Sequence, residues 1–168
     1  MEKQNASLDA SFWNCAFKVH LVKYIFDLFQ VYCCAAVESE ILAGDSRRPE
    51  LVFPQAALFV ALREKIHRAE PGSPIGLFGY GERYAIALAQ EKNWALLIND
   101  GRAFEFASQL GVKCLSVPEL AAILCASGRI TPNAALTCFE LLRSTTSPRL
   151  IERGIRIVEQ LKRKEGDK

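Results

Sequence analysis

The sequence has few of the features that mark disordered, collagenous or membrane-spanning chains. Its 168 residues include only 10 glycines and 7 prolines, while half are hydrophobic and 24% are charged. That balance excludes a disordered or low-complexity chain. The longest uninterrupted apolar runs have seven residues, as at 56–62, far fewer than the roughly 18–20 that a membrane-crossing helix needs. The length instead predicts one domain, residues 1–168, that buries a sizeable core.

Several short catalytic and metal-binding motifs are also missing. The two histidines and six cysteines include no Cys-x-x-Cys pair, which argues against a zinc site. Neither a Gly-x-Ser-x-Gly nucleophile elbow nor a Gly-Lys-Ser/Thr phosphate loop occurs. The glycines at 76, 79 and 81 are interpreted as a loop that leads into a helix. The first ten residues lack the basic stretch and apolar core of a signal peptide, so a cytoplasmic, reducing location is expected.

The charge is nearly balanced overall but uneven along the chain. Lysine and arginine number 21 and aspartate and glutamate 19, yet residues 143–168 carry eight basic and four acidic side chains. A basic tail of this kind can attract phosphates by electrostatic steering. The alternative is the solvated face of a final amphipathic helix. Arg47 and Arg48, in a polar loop, are further candidates for phosphate contacts.

The apolar periodicity predicts alternating strands and helices. Strands are predicted at residues 6–8, 31–35, 94–98 and 112–117. Helices are predicted at residues 12–29, 36–43, 82–93 and 102–110, within 55–68, and after Pro118, Thr131 and Ser147. This alternation is typical of an α/β domain in three α/β/α layers, with a central, mostly parallel sheet. Residues 131–168 are predicted to form a helical C-terminal extension.

Acidic residues stand where the predicted strands end and the next helices begin. Asp9 follows the first strand, Asp100 follows the strand at 94–98, and Glu40 and Glu82 lie on helices beside them. In an open α/β sheet, ligands bind at the carboxyl ends of the strands. Two unit charges about 4 Å apart repel by about 4 kcal/mol at an effective dielectric constant of about 20. Four clustered carboxylates therefore predict a hard divalent cation, Mg²⁺ or Mn²⁺.

Each of these acids also has a structural interpretation. Glu82 can compensate a helix dipole, and Asp9 can serve as an N-cap. Asp100 precedes a glycine and can form a turn. Glu40 can be a solvated helix residue.

The same four positions carry motifs that resemble those of PIN-domain nucleases. Leu8-Asp9-Ala10-Ser11 is similar to the first motif, a strand ending in Asp followed by a small residue and a hydroxyl residue. The segment at 36–41 resembles the second motif with Glu40, and Glu38 is the alternative acid in that register. The resemblance covers residues 7–161.

The third and fourth motifs are the more specific pair. Glu82 opens an Ala- and Ile-rich helix, and Asp100 follows an apolar strand and precedes another helix and strand. The segment at 128–132 is similar to the Gly-x-Ile-x-Pro of small stand-alone prokaryotic PIN proteins. Tyr84 and Asn99 depart from the pattern, since relatives often carry acids there.

The resemblance implies a Mg²⁺- or Mn²⁺-dependent endoribonuclease, with Asp9, Glu40, Glu82 and Asp100 as metal ligands and catalytic residues. Ser11 would orient Asp9 or a bound water. It also implies RNA or another single-stranded nucleic acid as the partner, a toxin-type role with a small antitoxin, and a homodimer as a further expectation.

Two other functions stay open at this stage. The first is a catalytically inactive PIN-fold protein that binds nucleic acid or regulates a partner. The second is a small-molecule α/β enzyme, which would carry an apolar pocket with a few polar groups in place of clustered acids.

Overall fold

The computed structural model describes residues 3–43 and 52–166, which form helices around one parallel sheet. The strands are β1 (Gln4–Leu8), β2 (Phe29–Cys33), β3 (Ile66–Arg68), β4 (Ala95–Leu97) and β5 (Cys114–Leu115). The helices are α1 (Ala10–Lys18), α2 (Val22–Leu28), α3 (Ala35–Leu42), α4 (Pro54–Ala61), α5 (Tyr80–Lys92), α6 (Gly101–Gln109), α7 (Val117–Ala126), α8 (Pro132–Leu142) and α9 (Pro148–Gly166). The predicted α/β/α class, with helices flanking a central sheet, is confirmed.

The sheet has the strand order β3-β2-β1-β4-β5, and every neighbouring pair is parallel. β1 lies at the centre, where Ala6 faces Val31 on one side and Ala95 on the other. All three residues of β4 are buried, as expected for a central strand covered on both faces. Because every strand runs the same way, all carboxyl ends lie at one edge of the sheet.

The single helix predicted at 12–29 is wrong, because the chain turns after Lys18. The Val19 N–H bonds back to the Cys15 carbonyl, and His20 adopts a left-handed conformation with φ 60°. The turn buries Leu21 and Val22 and starts α2 in a new direction. As a result β2 begins at Phe29 rather than at Val31.

The strand β3 was not predicted within 55–68. It follows α4 and a short 3₁₀ helix, Arg63–Lys65, and it forms the edge of the sheet beside β2. Its sequence, Ile-His-Arg, lacks the continuous apolar run of a central strand, and its three residues are half-buried or exposed. The predicted loop at 44–50, with Arg47 and Arg48, lies outside the described residues.

The C-terminal helices pack on α7 near the carboxyl edge of the sheet. At Gly154 an added Cβ would lie 2.9 Å from Pro118 and from the Phe139 ring, so only glycine allows α9 to approach this closely. Thr131 caps α8 by accepting a hydrogen bond from the Ala134 N–H. No helix in the described ranges combines the length and hydrophobicity that a bilayer crossing requires.

Candidate active site

Asp9 is fixed at the carboxyl end of the central strand β1. Its N–H donates to the Leu97 carbonyl at 2.9 Å, which joins the ends of β1 and β4. It is also the N-cap of α1, since Oδ2 accepts hydrogen bonds from the Ser11 N–H at 2.9 Å and from Ser11 Oγ. Capping therefore occupies one oxygen of the carboxylate and leaves the other available.

That other oxygen is the most unusual polar atom of the described chain. Asp9 is 1% exposed, and its Oδ1 is buried without a hydrogen-bond partner among the described residues. Burial raises the pKa of Asp9 from 3.8 to about 7, against the lowering effect of the Ser11 hydrogen bonds. The charges of Glu82 and Glu40 raise this pKa further. A buried, unpartnered carboxylate oxygen costs free energy unless a proton or a cation binds it.

Ser11 and Asn99 connect the end of β1 to the end of β4. Ser11 Oγ accepts the Asn99 N–H at 2.9 Å while it donates to Asp9. The buried Asn99 side chain accepts from the Val117 N–H at 3.0 Å and donates to Thr146 Oγ1 at 2.7 Å. Asn99 is therefore a structural link from the end of β4 to the start of α7 and to the segment between α8 and α9.

Glu40 reaches the same edge from α3. Its Oε1 accepts the Gly81 N–H in the first turn of α5 at 2.7 Å. A Cβ at Gly81 would lie 2.5 Å from Glu40 Oε2, so the lack of a side chain there makes room for this carboxylate. The pairing brings Glu40 next to the residue that precedes Glu82.

Glu82 lies in the first turn of α5, and Asp100 immediately precedes α6 at the same edge. Glu82 Oε2 accepts the Gly79 N–H at 3.2 Å, and Asp100 Oδ1 accepts the Ala103 N–H at 2.9 Å as the N-cap of α6. Burial raises the pKa of Glu82, the Gly79 hydrogen bond lowers it, and the charges of Asp100 and Glu40 raise it.

The four predicted acids are thus electrostatic neighbours, linked through their effects on Asp9 and Glu82. They do not meet at a point. Within residues 3–43 and 52–166, no three His, Cys, Asp or Glu side chains form a group able to hold a metal ion. Glu40, Glu82 and Asp100 are each bound to a backbone N–H instead. Asp9 is thus an N-cap and Glu82 lies in the first turn of a helix, as their structural interpretations state. Asp100 caps α6 instead of forming the predicted turn.

Glu38, the alternative acid of the second motif, has a different role. It is buried and forms ion pairs with Arg63, at the start of the 3₁₀ helix, and with Arg68, the last residue of β3. Two residues further along the same helix, Glu40 is exposed and contacts α5. Glu40 is therefore the acid of this helix that contacts α5 beside Glu82.

A cleft of about 420 Å³ opens beside Glu82 and Asp100. Two arginines line it, Arg102 from α6 and Arg149 from α9, and Arg149 forms an ion pair with Glu105. Ser147, the residue before α9, also lines it. The basic tail thus contributes one cation to the cleft.

Some of these contributions were not identified from the sequence. The contact between Glu40 and Gly81 spans 41 positions, and Asn99 reaches Thr146 across 47. Only the Ser147-Pro148 helix start gave a local signal near Arg149, and it predicted a helix rather than a cleft residue.

Comparison with known proteins gives one structural likeness. No protein-family model and no curated protein matches the chain. Among solved structures, the chain is similar to a PilT N-terminus domain protein from the hyperthermophilic archaeon Sulfolobus solfataricus P2, with 16% identity and a TM-score of 0.44. The likeness covers 68% of this chain and 88% of that chain.

Proposed function

We propose that this protein is a Mg²⁺- or Mn²⁺-dependent endoribonuclease whose metal ligands are Asp9, Glu40, Glu82 and Asp100. The observation that carries the proposal is the buried Oδ1 of Asp9, which has no hydrogen-bond partner among the described residues. The charges of Glu40 and Glu82 act on Asp9, and the charge of Asp100 acts on Glu82. Oxygen donors of this type suit hard divalent cations. A bound cation would polarise a phosphodiester and lower the pKa of an attacking water.

In this proposal the chain's own residues prepare the site. Ser11 holds Asp9 Oδ2, which keeps Oδ1 directed to the metal position. Gly81 leaves space for Glu40. The main-chain hydrogen bonds of Glu40, Glu82 and Asp100 hold these side chains at the edge of the sheet.

The residues around the acids favour a nucleic-acid substrate. Arg102 and Arg149 in the cleft would contact phosphates, which makes binding sensitive to salt. Tyr80, the first residue of α5, is 60% exposed, and its ring centre lies 5.1 Å from that of Tyr84. Exposed aromatic rings stack on unpaired bases, so this pair favours a single strand over a duplex.

Cleavage of single-stranded RNA tests the proposal. Purified protein should cut a labelled single strand with Mn²⁺ and stop when a chelator is added. Asp100→Asn should abolish cutting without loss of the fold, because asparagine caps a helix as well as aspartate does. Asp27→Asn, which removes an acid paired with Arg129, is the matched control and should cut normally. Equal cutting by Asp100→Asn would refute the assignment.

A second candidate is a catalytically inactive protein that binds nucleic acid through the same edge. The lack of a three-ligand group within the described residues favours it. RNA binding that persists in chelator, with no cutting in Mn²⁺ or Mg²⁺, would support this candidate. The cytoplasmic location, the toxin-type role, the antitoxin and the homodimer stay predictions.

A further inference from the structure

One cavity lined by the described residues is a groove far from the acidic edge. It has a volume of about 1020 Å³ and lies at the amino ends of β1 and β2, bordered by α1, α2, α4 and β3. We call it the basic groove. Its floor consists of half-buried apolar side chains from three elements and the start of β2: Phe17, Phe26, Phe29, Leu58 and Leu62.

Positive charges surround this apolar floor. Lys3, Lys23 and Lys65 line the groove together with His20 and His67. Lys3 Nζ donates to the Phe26 carbonyl at 2.6 Å, and Lys65 Nζ lies 5.9 Å from the centre of the Phe26 ring. Two of the lysines therefore converge on the same part of the floor.

These lysine charges are not neutralised within the described ranges. No carboxylate there forms an ion pair with Lys3, Lys23 or Lys65. The acid that lines the groove, Asp27, is paired with Arg129 at 3.0 Å. The groove thus combines apolar surface with unpaired positive charge, and it is complementary to a molecule that carries an apolar body and an anionic head.

The polar groups of the groove do not suit a nucleotide. Gln30 and His67, whose side chains could pair with the edge of a base, bond to each other at 3.3 Å. The floor is built of phenylalanine and leucine, which offer no hydrogen bonds to a base edge. A flexible apolar chain needs only such a surface.

We propose that the basic groove binds an alkyl carboxylate, with the alkyl chain on the phenylalanine and leucine floor and the carboxylate at Lys3, Lys23 and Lys65. Pockets for small molecules are lined mainly by apolar side chains with a few polar groups that fix orientation. This groove has that composition. Its ligand would lie at the opposite end of the sheet from Asp9, Glu40, Glu82 and Asp100. Binding in the groove would not depend on the proposed nuclease activity.

Calorimetric titration of the full chain in chelator tests this inference. Octanoate and decanoate should each bind at one site, and decanoate more tightly by about fourfold for each of its two extra methylenes. Acetate has the charge without the chain and should not bind. 1-Octanol has the chain without the charge and should bind at least tenfold more weakly than octanoate.

Matched variants locate the site. Lys23→Gln with Lys65→Gln should weaken decanoate binding at least tenfold. The control variant, Lys92→Gln with Lys113→Gln, removes the same charge from exposed positions outside the groove. It should leave the affinity for decanoate unchanged. Leu62→Gln should weaken decanoate binding, because it removes part of the apolar floor, and its thermal unfolding shows whether the fold is kept. The inference is overturned if no carboxylate binds, if octanol binds as tightly as octanoate, or if both lysine pairs weaken decanoate equally.

Discussion

The substitution Asp9→Asn tests the central carboxylate through stability alone. Burial raises the folded-state pKa of Asp9 from 3.8 to about 7. The folded chain therefore holds this proton more tightly than the unfolded chain does. The stability linked to Asp9 is complete below about pH 4 and is lost as the pH rises through about 7.

The size of this effect follows from the two pKa values. At about 1.4 kcal/mol for each pKa unit, the ionised carboxylate lowers the free energy of unfolding at pH 8 by about 4 kcal/mol. Asparagine removes that charge and keeps an oxygen for Ser11, but its NH₂ group takes the unpartnered position, which costs about 1–3 kcal/mol. We expect a net gain of about 2 kcal/mol, or a rise in Tm of about 4–8 °C for a chain of this size.

Thermal unfolding from pH 4 to pH 8, in chelator and in Mn²⁺, measures this balance. In chelator, the advantage of Asp9→Asn over the unsubstituted protein should grow between about pH 4 and 7 and then level off. In saturating Mn²⁺ at pH 8, the unsubstituted protein should gain Tm and the variant should gain little. A variant that is less stable at every pH and responds equally to Mn²⁺ would refute the reasoning.

Three further predictions concern single contacts of the site. Glu40→Gln should abolish RNA cutting with little change in stability. Glu38→Gln should keep cutting but lower the free energy of unfolding by about 1 kcal/mol, because it weakens two ion pairs whose arginines are partly exposed. Denaturant unfolding and cleavage assays on both variants separate the two roles. Gly81→Ala should lower cutting at least tenfold by displacing Glu40, while Gly76→Ala, whose added Cβ meets nothing within 4 Å, should not. Arg102→Gln should weaken RNA binding and reduce the slope of log affinity against log salt by about one, as filter binding at several salt concentrations would show.

The elements were predictable where apolar periodicity is continuous. The buried strand β4 stands out in the sequence because all of its residues are buried and apolar. The helix α5 stands out because its buried residues recur at helical spacing. The turn at His20 does not stand out in the sequence, because a left-handed conformation at a residue other than glycine leaves no sign in the apolar pattern. The edge strand β3 is equally hidden, since its pairing with β2 is decided by long-range contacts.

The candidate site was predictable as a set of positions but not as a geometry. Strand ends indicate which acids share an edge, and Asp9 and Asp100 follow from that rule. The choice between Glu38 and Glu40 depends on Arg63 and Arg68, which lie 25 and 30 positions from Glu38. The unpartnered state of Asp9 Oδ1 depends on how Ser11 and the surrounding core close over it, and no local pattern reports that.

The most direct measurement is an anomalous diffraction map from a crystal of the protein soaked in Mn²⁺. Metal–oxygen distances for such hard cations are about 2.0–2.2 Å. The account predicts a manganese peak at that distance from Asp9 Oδ1, with the carboxylates of Glu40, Glu82 or Asp100 turned towards it. A peak only elsewhere on the molecule, or none at saturating Mn²⁺, would contradict it.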